Sequence, residues 1–245
     1  MSGGEARPVA IVTAIPEELD AILVRARDVR RDARGFFVGR LGSIGVVLAA
    51  TGDGAVRAGR GAAALCDAHH PRVLVGMGVA GALSDDLSVF DIVAARHVRD
   101  ASAEAPPPDA ALLARALAIP GAREATLVTS AGPVVSPAAK AALAAAAGSA
   151  TAAVDMESAA WARAAADRQI PYAILRIISD GPHEDLPGYL PDCMDAEGSI
   201  RRAAVALRAI ARPWSIPRLV AMRDRVREAT ARLAAFVEHF VGAEA

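Results

Sequence analysis

The sequence predicts a layered α/β domain, because short apolar runs suited to buried strands alternate with helix-patterned segments. Its 245 residues fit one large core, since single cores grow to roughly 250 residues before splitting. Hydrophobic residues make up 53% of the chain but aromatics only 4%, with alanine supplying much of the rest. Such a core is built from closely packed small side chains. The length would also permit two domains, so composition leaves the count open; residues 1–245 are read as a single domain, with a helical extension at its C-terminal end.

Residues 9–15 form a nearly continuous apolar run, suited to a strand covered on both faces. Pro16-Glu17-Glu18 opens a helix: proline fits the first turn, and the acidic pair favours its positive end. Residues 36–41 and 44–50 read as strands around a tight turn at Gly42 and Ser43. Thr51-Gly52-Asp53-Gly54 breaks the second of them, and residues 55–69 read as a helix. A buried strand over 73–77 is followed at once by a glycine-rich turn, Gly78-Val79-Ala80-Gly81. Residues 91–98 make another strand, and the prolines and short polar residues of 101–109 predict a surface loop.

The alternation continues with a strand over 126–131, a helix over 137–147, an edge segment over 152–154 and a helix over 156–168. Residues 172–178, rich in β-branched side chains, read as a strong strand. Prolines and glycines then make 181–197 a long functional loop or lid. Near the end, Leu219, Met222, Val226, Ala229, Leu233, Val237 and Phe240 recur at helical spacing and draw one apolar stripe. That stripe docks onto the core or, with Arg218, Arg223, Arg225 and Arg227 nearby, faces lipid.

Charge and composition exclude several classes. With 27 basic against 28 acidic side chains, the chain lacks the field that captures nucleic acid, and no nucleic-acid partner is expected. Residues 1–8 carry two glycines and both charge signs, without an apolar signal-peptide core. No run of about 18 uninterrupted apolar residues follows, so a membrane span is not expected. Cys66 and Cys193 are distant in sequence and fit a reduced, cytoplasmic protein. The histidines show no metal-ligand spacing, and neither a dinucleotide fingerprint nor a lysine-bearing phosphate loop occurs. No metal or other cofactor is expected.

Three carboxylates carry candidate chemistry. Glu18, just beyond the first strand, either takes a proton from an attacking water or merely favours its helix terminus. Glu157, in Val154-Asp155-Met156-Glu157-Ser158, can accept from two adjacent sugar hydroxyls, while Asp155 caps the helix or tunes Glu157. A carboxylate in such apolar surroundings is costly unless it is used. Asp180 ends Arg176-Ile177-Ile178-Ser179-Asp180; a protonated acid there neutralises a departing purine at N7, with Ser179 orienting it. Arg176 either braces the strand end or steadies the neighbouring carboxylates. Gly78 and Gly81 allow close backbone approach to a ligand or to a neighbouring strand.

In this order, the four motifs resemble the nucleoside phosphorylase and nucleosidase superfamily, over roughly residues 9–182. The catalytic pattern resembles bacterial methylthioadenosine/adenosylhomocysteine nucleosidases. That resemblance implies a three-layer sandwich around a central mixed sheet, and an oxocarbenium-like reaction without metal or redox cofactor. It places Glu18 at the water-activating position and Asp180 at the purine acid. Gly78, Val79, Met156, Glu157 and Ser179 fall at substrate-binding positions, with Asp155 and Arg176 in support. Val79 stands where those nucleosidases have serine, which removes one contact to water or phosphate. Water is expected as nucleophile, with a phosphorylase as the alternative.

The C-terminal half, through the Leu186-Pro187 loop, residues 207–213 and the terminal stripe, is similar to hopanoid-associated nucleosidases. Those enzymes remove adenine from adenosylhopane to leave ribosylhopane. The resemblance implies an adenosyl nucleoside substrate, homo-oligomerisation, and a cytoplasmic enzyme in transient contact with the inner-membrane surface. The alternatives are a nucleosidase for methylthioadenosine, adenosylhomocysteine or 5′-deoxyadenosine, and a nucleoside-binding sensor that has lost catalysis.

Overall fold

Nine strands form one sheet in the order β2-β3-β4-β1-β5-β8-β7-β6-β9, and β9 pairs again with β5, so five strands close on themselves. The structure, a computed structural model, describes residues 7–243; the leader reading over residues 1–6 lies outside them. The strands are β1 (Val9–Thr13), β2 (Arg27–Arg31), β3 (Phe37–Leu41), β4 (Ile44–Ala50), β5 (Val73–Ala82), β6 (Ile92–Asp100), β7 (Ala122–Thr129), β8 (Ala152–Asp155) and β9 (Tyr172–Asp180). The helices are α1 (Pro16–Leu23), α2 (Ala55–His69), α3 (Ala110–Ala118), α4 (Pro137–Ala147), α5 (Ser158–Ala166), α6 (Arg202–Ile210) and α7 (Ile216–Gly242). β5 runs parallel to β1 and β9 but antiparallel to β8, and β6 runs antiparallel to β9, so the sheet is mixed.

Two apolar clusters sandwich the sheet. Leu74, Ile174 and Ile178 pack with Ala62 and Leu65 of α2 and Trp161 of α5. Their chain neighbours Val75, Leu175 and Ile177 pack on the other side, with Leu19 and Ile22 of α1 and Leu233, Val237 and Phe240 of α7. That division follows from the period-two alternation of a strand. Helices on both faces give the three layers expected.

Several elements differ from the sequence reading. The Gly78–Gly81 stretch is not a turn; β5 continues through it to Ala82. Its glycines mark close approach inside a strand: a Cβ on Gly76 would lie 2.6 Å from both Trp161 and Ile174. Residues 152–154 are not an edge segment, because β8, which includes them, lies between β5 and β7 with all four of its residues buried. β2 is fully exposed and mostly charged, so its pairing at the sheet edge left no apolar signature. α3 was also missed; Asp109 caps it, Oδ1 accepting from the Ala111 and Leu112 amides at 3.0 Å. The terminal stripe docks in its second half, where Ala229, Leu233, Val237 and Phe240 are buried, whereas Leu219, Met222 and Val226 are half-buried. Among the described residues no helix is long and apolar enough to cross a membrane.

Candidate active site

Glu18 sits in the first turn of α1, immediately beyond β1, and is 2% exposed. Its Oε2 accepts from the amides of Ala14 (2.9 Å) and Ile15 (3.3 Å), and its Oε1 from that of Val79 on β5 (3.0 Å). Burial pushes the Glu18 acid above the usual carboxylate range, against the pull of Arg176 and these amides.

Arg176 is fully buried on β9, in register with Gly78 of β5. Its guanidinium lies 2.7 Å from Asp155 Oδ2, 3.5 Å from Glu157 Oε2 and 4.7 Å from the centre of the Trp161 ring. Gly78 makes room for this arrangement: a Cβ there would lie 2.7 Å from Glu18 Oε1 and closer still to the guanidinium. Gly78 therefore serves the charged cluster by giving up its side chain.

Asp155 ends β8 and organises the start of α5. Its Oδ1 accepts from the Glu157 and Ser158 amides (both 3.3 Å) and from Thr129 Oγ1 (2.9 Å), and Ser158 Oγ donates to Oδ2. Glu157 stands at the N-cap without capping the helix; its Oε1 instead accepts from the Gly54 amide at 2.9 Å. The Thr51–Gly54 break thus reaches the site from the start of α2, which packs beside α5 on the same face of the sheet. Burial pushes the Glu157 acid up to about 8; Arg176 opposes this, and the charges of Asp155 and Glu18 add to it. Three buried carboxyl groups share one guanidinium, and two of them, Glu18 and Glu157, hold their protons above the usual carboxylate range.

Asp180 lies at the carboxyl end of β9, where the register shifts and Ser179 is the extra residue. Such a bulge re-aims the side chains that follow it. Asp180 pairs with Gly81, where a Cβ would lie 2.8 Å from Asp180 Oδ2. Ser179 Oγ donates to Asp180 Oδ1 at 2.7 Å. Lys140 Nζ donates to Oδ2 at 2.6 Å, an ion pair whose lysine is 1% and aspartate 10% exposed in the side chain. The sequence reading missed Lys140.

The predicted residues therefore fall into two adjoining groups. Glu18, Asp155, Glu157 and Arg176 form one cluster, Ser179 and Asp180 form the second, and residues 78–81 of β5 run beside both. Val79 and Met156 are half-buried at the edge of the first group. Among the described residues no three His, Cys, Asp or Glu side chains are placed to hold a metal. His183 is exposed and bonds Asp85 at 2.7 Å, on the surface.

The segment after Asp180 is anchored over this edge. The Ile200 amide donates to Asp53 at 2.6 Å, and Arg57 of α2 binds Asp195 (2.7 Å) and Glu197 (2.8 Å). Arg225 of α7 binds Glu184 at 2.7 Å and the Ser179 carbonyl at 3.2 Å. A cavity of about 400 Å³ lies beside this segment, lined by Leu186, Pro187, Tyr189, Arg212, Trp214 and Arg218 among others. A second, of about 510 Å³, opens near Arg96 and Thr151, away from the charged cluster.

The phosphorylase superfamily profile matches residues 8–213, and the chain belongs to that family. A 5′-methylthioadenosine/S-adenosylhomocysteine nucleosidase of Maridesulfovibrio salexigens is 33% identical over 100 residues. That match covers 40% of this chain and 43% of the relative, so the chain aligns with less than half of the relative's length. The Helicobacter pylori enzyme of that type, a mutant with 5′-methylthioadenosine in the active site, superposes with a TM-score of 0.76 at 18% identity. It covers 98% of this chain and 100% of its own. A futalosine hydrolase mutant of H. pylori superposes with a TM-score of 0.72 at 18% identity, over 97% and 100% of the two chains. These two likenesses establish the fold.

Proposed function

We propose that this member of the phosphorylase superfamily hydrolyses the N-ribosidic bond of an adenosyl nucleoside, releasing adenine. The observation that carries this reading is the gathering of Glu18, Glu157 and Arg176 in one buried cluster, with Asp180 beyond it on the same strand end. Glu157 accepts from the ribose hydroxyls, with Met156 beside it, and Asp155 and Arg176 hold it in place. Asp180, oriented by Ser179, serves the purine at N7. As the bond to the base breaks, positive charge grows on the sugar, and the negative charge that the cluster retains stabilises it. Water attacks C1′ and gives its proton to Glu18.

Water suits this site better than phosphate. The cluster's guanidinium is committed to Asp155 at 2.7 Å and Glu157 at 3.5 Å, and a dianion would meet carboxylates. Val79 offers no hydroxyl where the resembling nucleosidases carry serine.

For the nucleoside tail, the reading is adenosylhopane, leaving ribosylhopane. Its support is the cavity where Leu186, Pro187, Tyr189 and Trp214 meet Arg212 and Arg218, together with exposed Leu207, Ile210, Trp214, Ile216 and Val220. Arg201, Arg202, Arg208, Arg212 and Arg218 stand among these apolar side chains, a composition suited to an anionic membrane surface. The reading is of a cytoplasmic homo-oligomer that touches the inner membrane transiently.

The test is adenine release from adenosylhopane, methylthioadenosine, adenosylhomocysteine and 5′-deoxyadenosine. Each buried methylene stabilises a complex by about 0.8 kcal/mol, so kcat/KM should favour adenosylhopane by roughly tenfold or more. Faster turnover of the small nucleosides would assign the tail to them instead. Tight binding without any adenine release would make the chain a sensor.

A further inference from the structure

Of the 27 basic side chains in this chain, 26 are arginine, and the one lysine is Lys140. It is fully buried, four residues beyond the Ser136 N-cap of α4. A cation there opposes the helix dipole, which favours negative charge at that end. Its ammonium is saturated: Nζ donates to Asp180 Oδ2 (2.6 Å), the Gly181 carbonyl (2.6 Å) and the Glu184 carbonyl (3.0 Å). Packing alone does not explain a buried ammonium in a chain that otherwise uses arginine throughout. Lysine differs from arginine in two ways that matter here: it is a compact charge, and it can give up its proton.

We infer that Lys140 supplies, through Asp180, the proton that the departing base takes up. The inference rests on the reading of Asp180 as the group that meets the purine. Lys140 and Asp180 form a buried ion pair at 2.6 Å. In a dry environment an ion pair and its neutral, proton-transferred form lie much closer in energy than in water. As the bond between C1′ and N9 breaks, its electron pair passes to the base, which becomes a stronger base than the intact nucleoside. Lys140 first passes a proton to the Asp180 carboxylate, and N7 then takes that proton, which leaves Asp180 a carboxylate again and Lys140 a neutral amine. Water adds to C1′ and its proton goes to Glu18. After product release, solvent returns a proton to Lys140 and removes the one on Glu18, so the net change is nucleoside plus water to base plus sugar. Lys140 touches no substrate; it acts through Asp180, and its bonds to the Gly181 and Glu184 carbonyls fix the donor in line.

The experiment compares an adenine nucleoside with a para-nitrophenyl riboside, whose leaving group departs without a proton, in K140R, K140M and D180N. General acid assistance contributes about 10²–10⁴-fold, so both lysine variants should lose at least tenfold on the adenine substrate and keep the nitrophenyl rate within a factor of three. Arginine preserves the charge but cannot release the proton. Full adenine activity in K140R would therefore overturn the inference, as would equal losses on both substrates in K140M. If neither variant folds, K140A is assayed with added ethylammonium or ethylguanidinium. Rescue by the ammonium alone supports the relay, and rescue by both or by neither overturns it. Absence of a leaving-group split in D180N would instead overturn the role of Asp180, independently of Lys140.

Discussion

Asp180→Asn is expected to lower kcat for adenine release by about 10²–10⁴-fold, the scale of general acid assistance. Asparagine's one carbonyl oxygen still accepts from Lys140, which lies 2.6 Å from Oδ2, while its NH2 replaces the oxygen that accepts from Ser179 at 2.7 Å, so the serine hydroxyl turns to accept. Its amide also donates, so nucleoside binding should survive within about an order of magnitude, given that one neutral hydrogen bond is worth roughly 1 kcal/mol. What it cannot do is pass on a proton. The loss should therefore fall on kcat, and it should shrink for leaving groups that depart as stable anions. Single-turnover cleavage after a binding assay separates the two effects. A loss confined to KM would make Asp180 a binding group rather than the acid.

Glu157→Gln should lower kcat by about 10²–10³-fold, as removal of a single preorganised group at the developing charge does. The same substitution has a signature in stability. The folded chain holds the Glu157 proton up to about 8, against an ordinary value of 4.5, mainly through burial. A group whose acid is raised by folding stabilises fully below its unfolded value, and that contribution is lost as pH rises through the folded one. The melting temperature of the parent should therefore fall between about pH 4.5 and 8, and the Gln variant should fall less. Glu18, raised in the same direction, leaves a residual slope in both proteins. Melts at pH 5 and pH 8.5 check this; parallel curves would mean that Glu157 is no more perturbed folded than unfolded.

Glu18, Glu157, Arg176 and Asp180 were legible in the sequence for a shared reason. Glu18, Glu157 and Asp180 lie at strand ends or helix starts that local pattern already marks, and Arg176, midway along β9, belongs to the same short motif as Asp180. The partners that define their chemistry were not. The Gly54 amide meets Glu157 across 103 residues, and Lys140 meets Asp180 across 40. No local pattern encodes such pairings, although a solitary lysine among arginines was a signal available to be read. The glycines of β5 misled in the opposite sense. Gly78-Val79-Ala80-Gly81 looks like a turn, because local chemistry cannot tell a bend from a strand that must pass close to Glu18, Arg176 and Asp180. β8 looked like an edge for want of length; its place between β5 and β7 is set by the sheet as a whole.

The central claim is hydrolysis of an adenosyl nucleoside by water at the Glu18, Glu157 and Arg176 cluster. Its most direct test is the product mixture from purified protein incubated with adenosyl nucleosides, with and without saturating phosphate. Equimolar adenine and free ribosyl product are expected, at a rate that phosphate does not change. A ribosyl 1-phosphate, formed only when phosphate is present, would contradict it.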